Sequence, residues 1–166
     1  MMRSLLAATA ILLASAACSP QATGEPAPAA SSESMAAATH PESGLRVIPL
    51  TVESASGTHE FRVEVADTAR QQAQGLMFRR SMGPDEGMIF PREDAPRMAS
   101  FWMKNTVLPL DLIFIGPDRR IINIAADAVP YSEDPIESEA PAGAVLELNA
   151  GRAAELGLSP GDRVEW

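Results

Sequence analysis

From Leu45 onward the chain reads as short apolar runs broken by polar residues, glycines and prolines. In "HEFRVEVA", Phe61, Val63 and Val65 alternate with Arg62 and Glu64, the period of two that marks a half-buried strand. "LRVIPLTVE" before it shows the same texture, and "GMIF", "RMASFWM", "DLIFI", "RIINIAA" and "AVLELN" supply five further strand candidates. "GPDR", residues 116 to 119, is a turn that should join two of them as a hairpin. Helical signals are few. Thr68 and Gln71 have capping-box spacing, and Gly75 stands where the helix would end in a left-handed turn. Near the C-terminus one helical turn, Arg152 to Leu156, stops at Gly157, and a Ser-Pro-Gly-Asp turn leads into a last strand from Arg163 to Trp166. There is no internal repeat. The pattern predicts a mostly β (α+β) domain, a small antiparallel or mixed sheet of barrel- or sandwich-like form with two short helices.

Upstream of Leu45 the texture changes twice. Residues 1 to 18, "MMRSLLAATAILLASAAC", carry one cation at Arg3, an apolar stretch from Leu5 to Leu13 and small residues before Cys18, the layout of a secretory leader. Cys18 follows Ser15, Ala16 and Ala17 in the manner of a bacterial lipobox, although Ser15 stands where such sites usually carry leucine. The expectation is lipidation at Cys18. The alternative is ordinary cleavage after Ala14 to Ala16. Residues 19 to 44 are rich in Pro, Ala and Ser with almost nothing large to bury, and read as a disordered tether. The expected organisation is therefore leader, tether and a domain over residues 45 to 166. The protein is expected to be exported to the periplasm and held at the membrane by its lipid, or else soluble there.

Composition narrows the chemistry. The chain of 166 residues has a formal charge of -9, which becomes about -10 once Arg3 leaves with the leader. That balance argues against a nucleic-acid partner, whose phosphates need a basic face. Cys18 is the single cysteine, so the domain has no disulfide, thiolate metal site or cysteine nucleophile. The two histidines, His40 in the tether and His59 at a strand start, cannot assemble a zinc cluster or a Ser-His-Asp set. No cofactor-binding motif is present.

Two clusters need weighing. Met77, Met82, Met88, Met98 and Met103 are concentrated in one quarter of the domain, and thioethers bind Cu(I), with Met98 and Met103 beside Trp102 as the weak candidates. Their irregular spacing also suits gap-filling in a core. The stretch 131 to 141, "YSEDPIESEAP", holds Glu133, Asp134, Glu137 and Glu139 between prolines, a long acidic loop without calcium-loop spacing.

"FWMKNTVLPLDLIF" is the most unusual segment. Lys104 is the single lysine of the chain. In a strand over residues 110 to 115, Asp111 shares a face with Ile113 and Ile115 while Leu110, Leu112 and Phe114 share the other, so its carboxylate needs a partner. One account pairs Lys104 with Asp111, with Asn105 and Thr106 bonding the turn, which fixes a crossover. The other makes Trp102, Lys104, Asn105 and Asp111 a ligand pocket: stacking, an anion contact and directional hydrogen bonds.

"GLMFRRSM", "DEGMIF", "FWMKNTVLPLDLIFI" and "VLELNAG" followed by "GLSPGDRV", in this order, closely resemble the DUF192 family of bacterial and archaeal domains of unknown function, over roughly residues 47 to 166. The resemblance implies a compact, mostly β domain with small helices, often exported or lipid-anchored, with no established catalytic activity or cofactor. The family pattern includes Trp102, Met103, Lys104, Asn105, Thr106, Pro109 and Asp111, and the loop from Tyr131 to Gly143 matches it loosely. The reading that follows is a non-enzymatic envelope binding module for an unknown small-molecule or envelope ligand. The alternatives are an envelope hydrolase using Asp111 as base with Lys104 or Asn105 stabilising an anion, a Met/Trp copper-binding protein, and an assembly partner with an exposed apolar patch.

Overall fold

The computed structural model describes residues 38–92 and 94–166. Its ten strands are β1 (Ala38–Thr39), β2 (Arg46–Ser54), β3 (Gly57–Val65), β4 (Glu86–Pro91), β5 (Ser100–Phe101), β6 (Leu110–Ile115), β7 (Ile121–Ala128), β8 (Ile136–Glu137), β9 (Ala144–Asn149) and β10 (Arg163–Glu165). The helices are α1 (Ala69–Gln74) and α2 (Arg152–Glu155). The leader, Cys18 and most of the tether lie outside the described residues. The last part of that tether does not: β1 pairs with β2, so the ordered domain begins before Leu45.

The main sheet runs β1-β2-β3-β4-β9-β6-β7, with β10 added to β2. All its pairings are antiparallel except β3 with β4, whose crossover contains α1. The sheet is mixed and mostly β, as expected, and it does not close into a barrel. β10 touches the β6–β7 turn through one bridge, Arg120 with Arg163. That turn is the predicted hairpin at 116 to 119, and β5 with β8 forms a separate two-stranded piece.

β6 is buried at every position and β9 at every position but its last, because both faces of the central strands are covered. One face, with Leu50, Phe61, Val63, Ile113, Ile115 and Leu146, packs beneath α2 and β10. The other, with Met88, Phe90, Leu112, Phe114 and Val145, packs beneath Leu76, Ala99 and Met103. The alternation in "LDLIFI" thus supplies two cores. At about 25 cal/mol per Å² of apolar surface, each large side chain sunk here stabilises the fold by about 2 kcal/mol.

α1 follows its capping box: Gln71 N–H donates to Thr68 Oγ1 and Thr68 N–H to Gln71 Oε1. Gly75 ends it at φ +49, and a Cβ there would lie 3.3 Å from the Phe90 ring. The expected strand "RMASFWM" is reduced to Ser100–Phe101, leaving Trp102 and Met103 in irregular chain that leads into a turn at Lys104 and Asn105. The alternation also misplaces Glu64. It is buried, held by both guanidinium nitrogens of the buried Arg79 at 2.7 and 3.1 Å. Burial works against the Arg79 charge, but Glu64, Glu42 and Glu86 outweigh it and raise the pKa above its ordinary value.

Candidate functional site

Asp111 is fully buried on β6, and its partners are all backbone N–H groups. Asp127 and Gly151 donate to Oδ1 at 3.0 and 3.1 Å, and Ala153 donates to Oδ2 at 2.9 Å. Each has a local origin. A register shift between Leu110 and Leu112 turns Asp127, at φ +53, toward the carboxylate. Gly151 and Ala153 open α2, whose N-cap glycine has no side chain to offer, so Asp111 caps that helix from the neighbouring strand. The expected Lys104–Asp111 pair does not form. Lys104 binds Glu133 of the acidic loop at 3.3 Å and lies 5.3 Å from the Trp102 ring centroid.

Asn105 is likewise structural. It sits at φ +55, a conformation asparagine tolerates better than most residues, and its carbonyl accepts from Phe78 N–H at 2.9 Å. Its side-chain amide approaches Met77 Sδ at 3.9 Å. Thr106 N–H donates to Met103 O, and Thr106 O accepts from Tyr131 N–H. The segment Lys104 to Thr106 therefore ties three loops together. The pocket drawn from the sequence comes apart: Lys104, Asn105 and Asp111 do not share a cavity, and Trp102 alone of the four lines the main cleft.

That cleft has a volume of about 440 Å³ and opens over the sheet face that carries Phe90. The C-terminal end of α1 forms one wall, Phe101 and Trp102 another, and Glu133 with Pro135 the rim. Trp102 is 50% exposed there. Two charged side chains missed by the sequence reading complete it, Arg92 and Glu147. Glu147 is the lone acid of "AVLELN", only 5% exposed, directly opposite Met88 on β4 and Leu112 on β6. Oε2 has no hydrogen-bond partner. With nothing to compensate its lost hydration, burial pushes the Glu147 carboxyl up to about 8, so it is largely protonated at neutral pH. A carboxylic acid in that state both donates and accepts hydrogen bonds.

Arg92 follows β4. Its backbone N–H donates to Gly143 O at 2.7 Å, its guanidinium lies 5.6 Å from the Phe101 ring centroid, and its buried Nε has no partner. Burial and then repulsion by Arg97 lower its pKa from the ordinary value. Both groups were detectable in principle as single charges in or beside apolar strands, the same signal that drew attention to Asp111.

The copper candidates separate. Met103 is fully buried in the core with Met88, whereas Met98 is 56% exposed. The acidic loop is structured: Glu133 pairs with Lys104, Asp134 with Ser132, Glu137 lies in β8 and Glu139 N–H donates to Asn123. Among the described residues no three His, Cys, Asp or Glu side chains form a metal-holding group. Among them, too, no helix is long and apolar enough to cross a membrane.

A mixed, unclosed sheet with a one-sided cleft over its central strands thus defines the class of domain. The chain belongs to the DUF192 family, described as "Uncharacterized ACR", which it matches over residues 51–166. It is similar to a crystal structure of a protein of unknown function from Novosphingobium aromaticivorans, with 58% identity, 81% of this chain and 95% of that chain covered, and a TM-score of 0.77. A second similar structure, from Sinorhizobium meliloti and described as a suspected transcription regulator, shows 48% identity, 73% and 94% coverage and a TM-score of 0.70. No curated protein matches.

Proposed function

We propose that this protein is an envelope binding module, exported and held to the membrane through lipid on Cys18, that takes a small molecule in the cleft between α1, β5 and β9. The observation that carries this reading is a buried, unpartnered carboxyl at the floor of a 440 Å³ cleft with a half-exposed tryptophan at its rim. A size near 300–1,000 Å³, an apolar lining and a few convergent polar groups are the ordinary features of a small-molecule site. Nucleic-acid binding, which the description of the Sinorhizobium protein would suggest, is disfavoured by the formal charge of -9. The hydrolase built on Asp111 and Lys104 loses support, since Asp111 is 0% exposed and both its oxygens are bonded.

The test of the cleft is a fragment screen by two-dimensional NMR on the full chain. Fragments that shift Gln72, Met77, Phe101 and Trp102 together, and lose that effect in Trp102→Ala, support the reading. Binding that maps elsewhere, or none at millimolar concentration, ends it. The anchor is tested separately by mass spectrometry of the mature N-terminus, where an unmodified start at Ala17 or Cys18 rules out lipidation.

A further inference from the structure

The charges around the cleft do not cancel. Three ionisable side chains line it: Glu133, Glu147 and Arg92. Glu133 is engaged by Lys104 at the rim. Glu147 stands between the apolar side chains of Met88 and Leu112 and is largely neutral below about pH 8. Arg92 makes no ion pair with any described carboxylate, is repelled by Arg97, and keeps a buried Nε without an acceptor. Among the described residues, the cleft therefore offers one uncompensated cation. A guanidinium in that condition gains most from a planar carboxylate or another oxyanion, which can take two of its N–H groups.

The spacing limits the shape of what fits. Arg92 stands beside Gly143, four residues before Glu147 along the same strand line. The two positions are therefore about 13 Å apart along the sheet. Phe90 lies between them, with the Phe101 ring edge-on to it at 5.1 Å. A backbone spacing of that size favours a ligand with some length over a compact one. Resting on the small-molecule reading above, we propose that the cleft takes an elongated organic anion. Arg92 holds the anionic group, Phe90, Phe101 and Trp102 cover an apolar or aromatic body, and Glu147 donates a hydrogen bond to an acceptor at the far end.

Three probes test this with the full chain: 4-(4-acetylphenyl)butanoate, its terminal amide, and 4-phenylbutanoate, each titrated by tryptophan fluorescence and NMR. The carboxylate is expected to bind at least about ten-fold more tightly than the amide, and Arg92→Gln to erase that difference. Arg92→Lys keeps the charge without the fork and should retain only part of it. The acetyl group is expected to add several-fold at about pH 6.5 and nothing at about pH 9.5, where an ionised Glu147 cannot donate. Glu147→Leu should show no acetyl gain at either pH. Equal affinity for acid and amide, or a preference that survives Arg92→Gln, overturns the proposal. If neutral fragments still occupy the cleft, the small-molecule reading stands and the anion assignment falls. If fragments of every charge leave it unperturbed, both fall.

Discussion

Asp111 and Glu147 are neighbours on adjacent central strands, β6 and β9, and point to opposite faces of one sheet. Both are nearly inaccessible. Asp111 accepts three backbone N–H groups, whereas Glu147 Oε2 accepts none. The difference lies in what packs above each. The first face is roofed by the start of α2, which presents free N–H groups, and the second by a cleft that presents nothing. Burial alone therefore does not reveal a carboxylate's role. Hydrogen-bond supply does: a carboxylate with donors serves the fold, and one without them is kept by taking a proton.

The strongest way to break this comparison is Asp111→Ala. Removing the shared, fully buried acceptor of three backbone N–H groups, of which that of Ala153 is itself buried, should cost about 4 kcal/mol in urea unfolding, and a loss under about 1 kcal/mol would show that Asp111 holds nothing together. Glu64 offers a third case, a buried carboxylate satisfied by a cation. Arg79→Met should cost about 3 kcal/mol, because Glu64 would remain buried without its charge partner.

Glu147 should act in the opposite sense. Its native carboxyl keeps a proton that the unfolded chain releases above the ordinary carboxyl value of 4.5, so the native state binds more protons between about pH 4.5 and 8. Stability should accordingly fall as pH rises through that window, by up to about 1.4 kcal/mol per pH unit, and level off on either side. Glu147→Gln should remove that slope in a series of unfolding curves, and an unchanged slope would assign it to other groups. The smallest effect belongs to the feature that looked most unusual in the sequence. Lys104→Met should change stability by about 0.5 kcal/mol or less, since the Lys104–Glu133 pair is solvent-exposed. A large loss would restore a structural role for Lys104.

Much of the fold was readable because its signals are short. The capping box of Thr68 and Gln71, the stop at Gly75, the 116 to 119 hairpin and the two-faced pattern of "LDLIFI" each depend on residues within a few positions of one another. The candidate site was much less so. Trp102 was identified, but Lys104 and Asn105 were assigned to a pocket because they adjoin it in sequence, and Glu147 passed unremarked in a run as apolar as the one around Asp111. The same shortcoming hid Glu64, whose place in the alternation marked it as solvent-facing.

The sequence by itself determined the family, the strand and turn grammar, the short capped helix and the need of a carboxylate at position 111 for partners, since these follow from local backbone preferences and the periodicity of apolar side chains. Only the tertiary structure decided which partners were found. Asp111 meets N–H groups up to 42 residues away, Glu64 meets Arg79 across the crossover, and Glu147 meets none. Local spacing can show that a charge will be buried, but the donors that reach it are brought by packing of distant segments, and that is what separates a structural carboxylate from the candidate site.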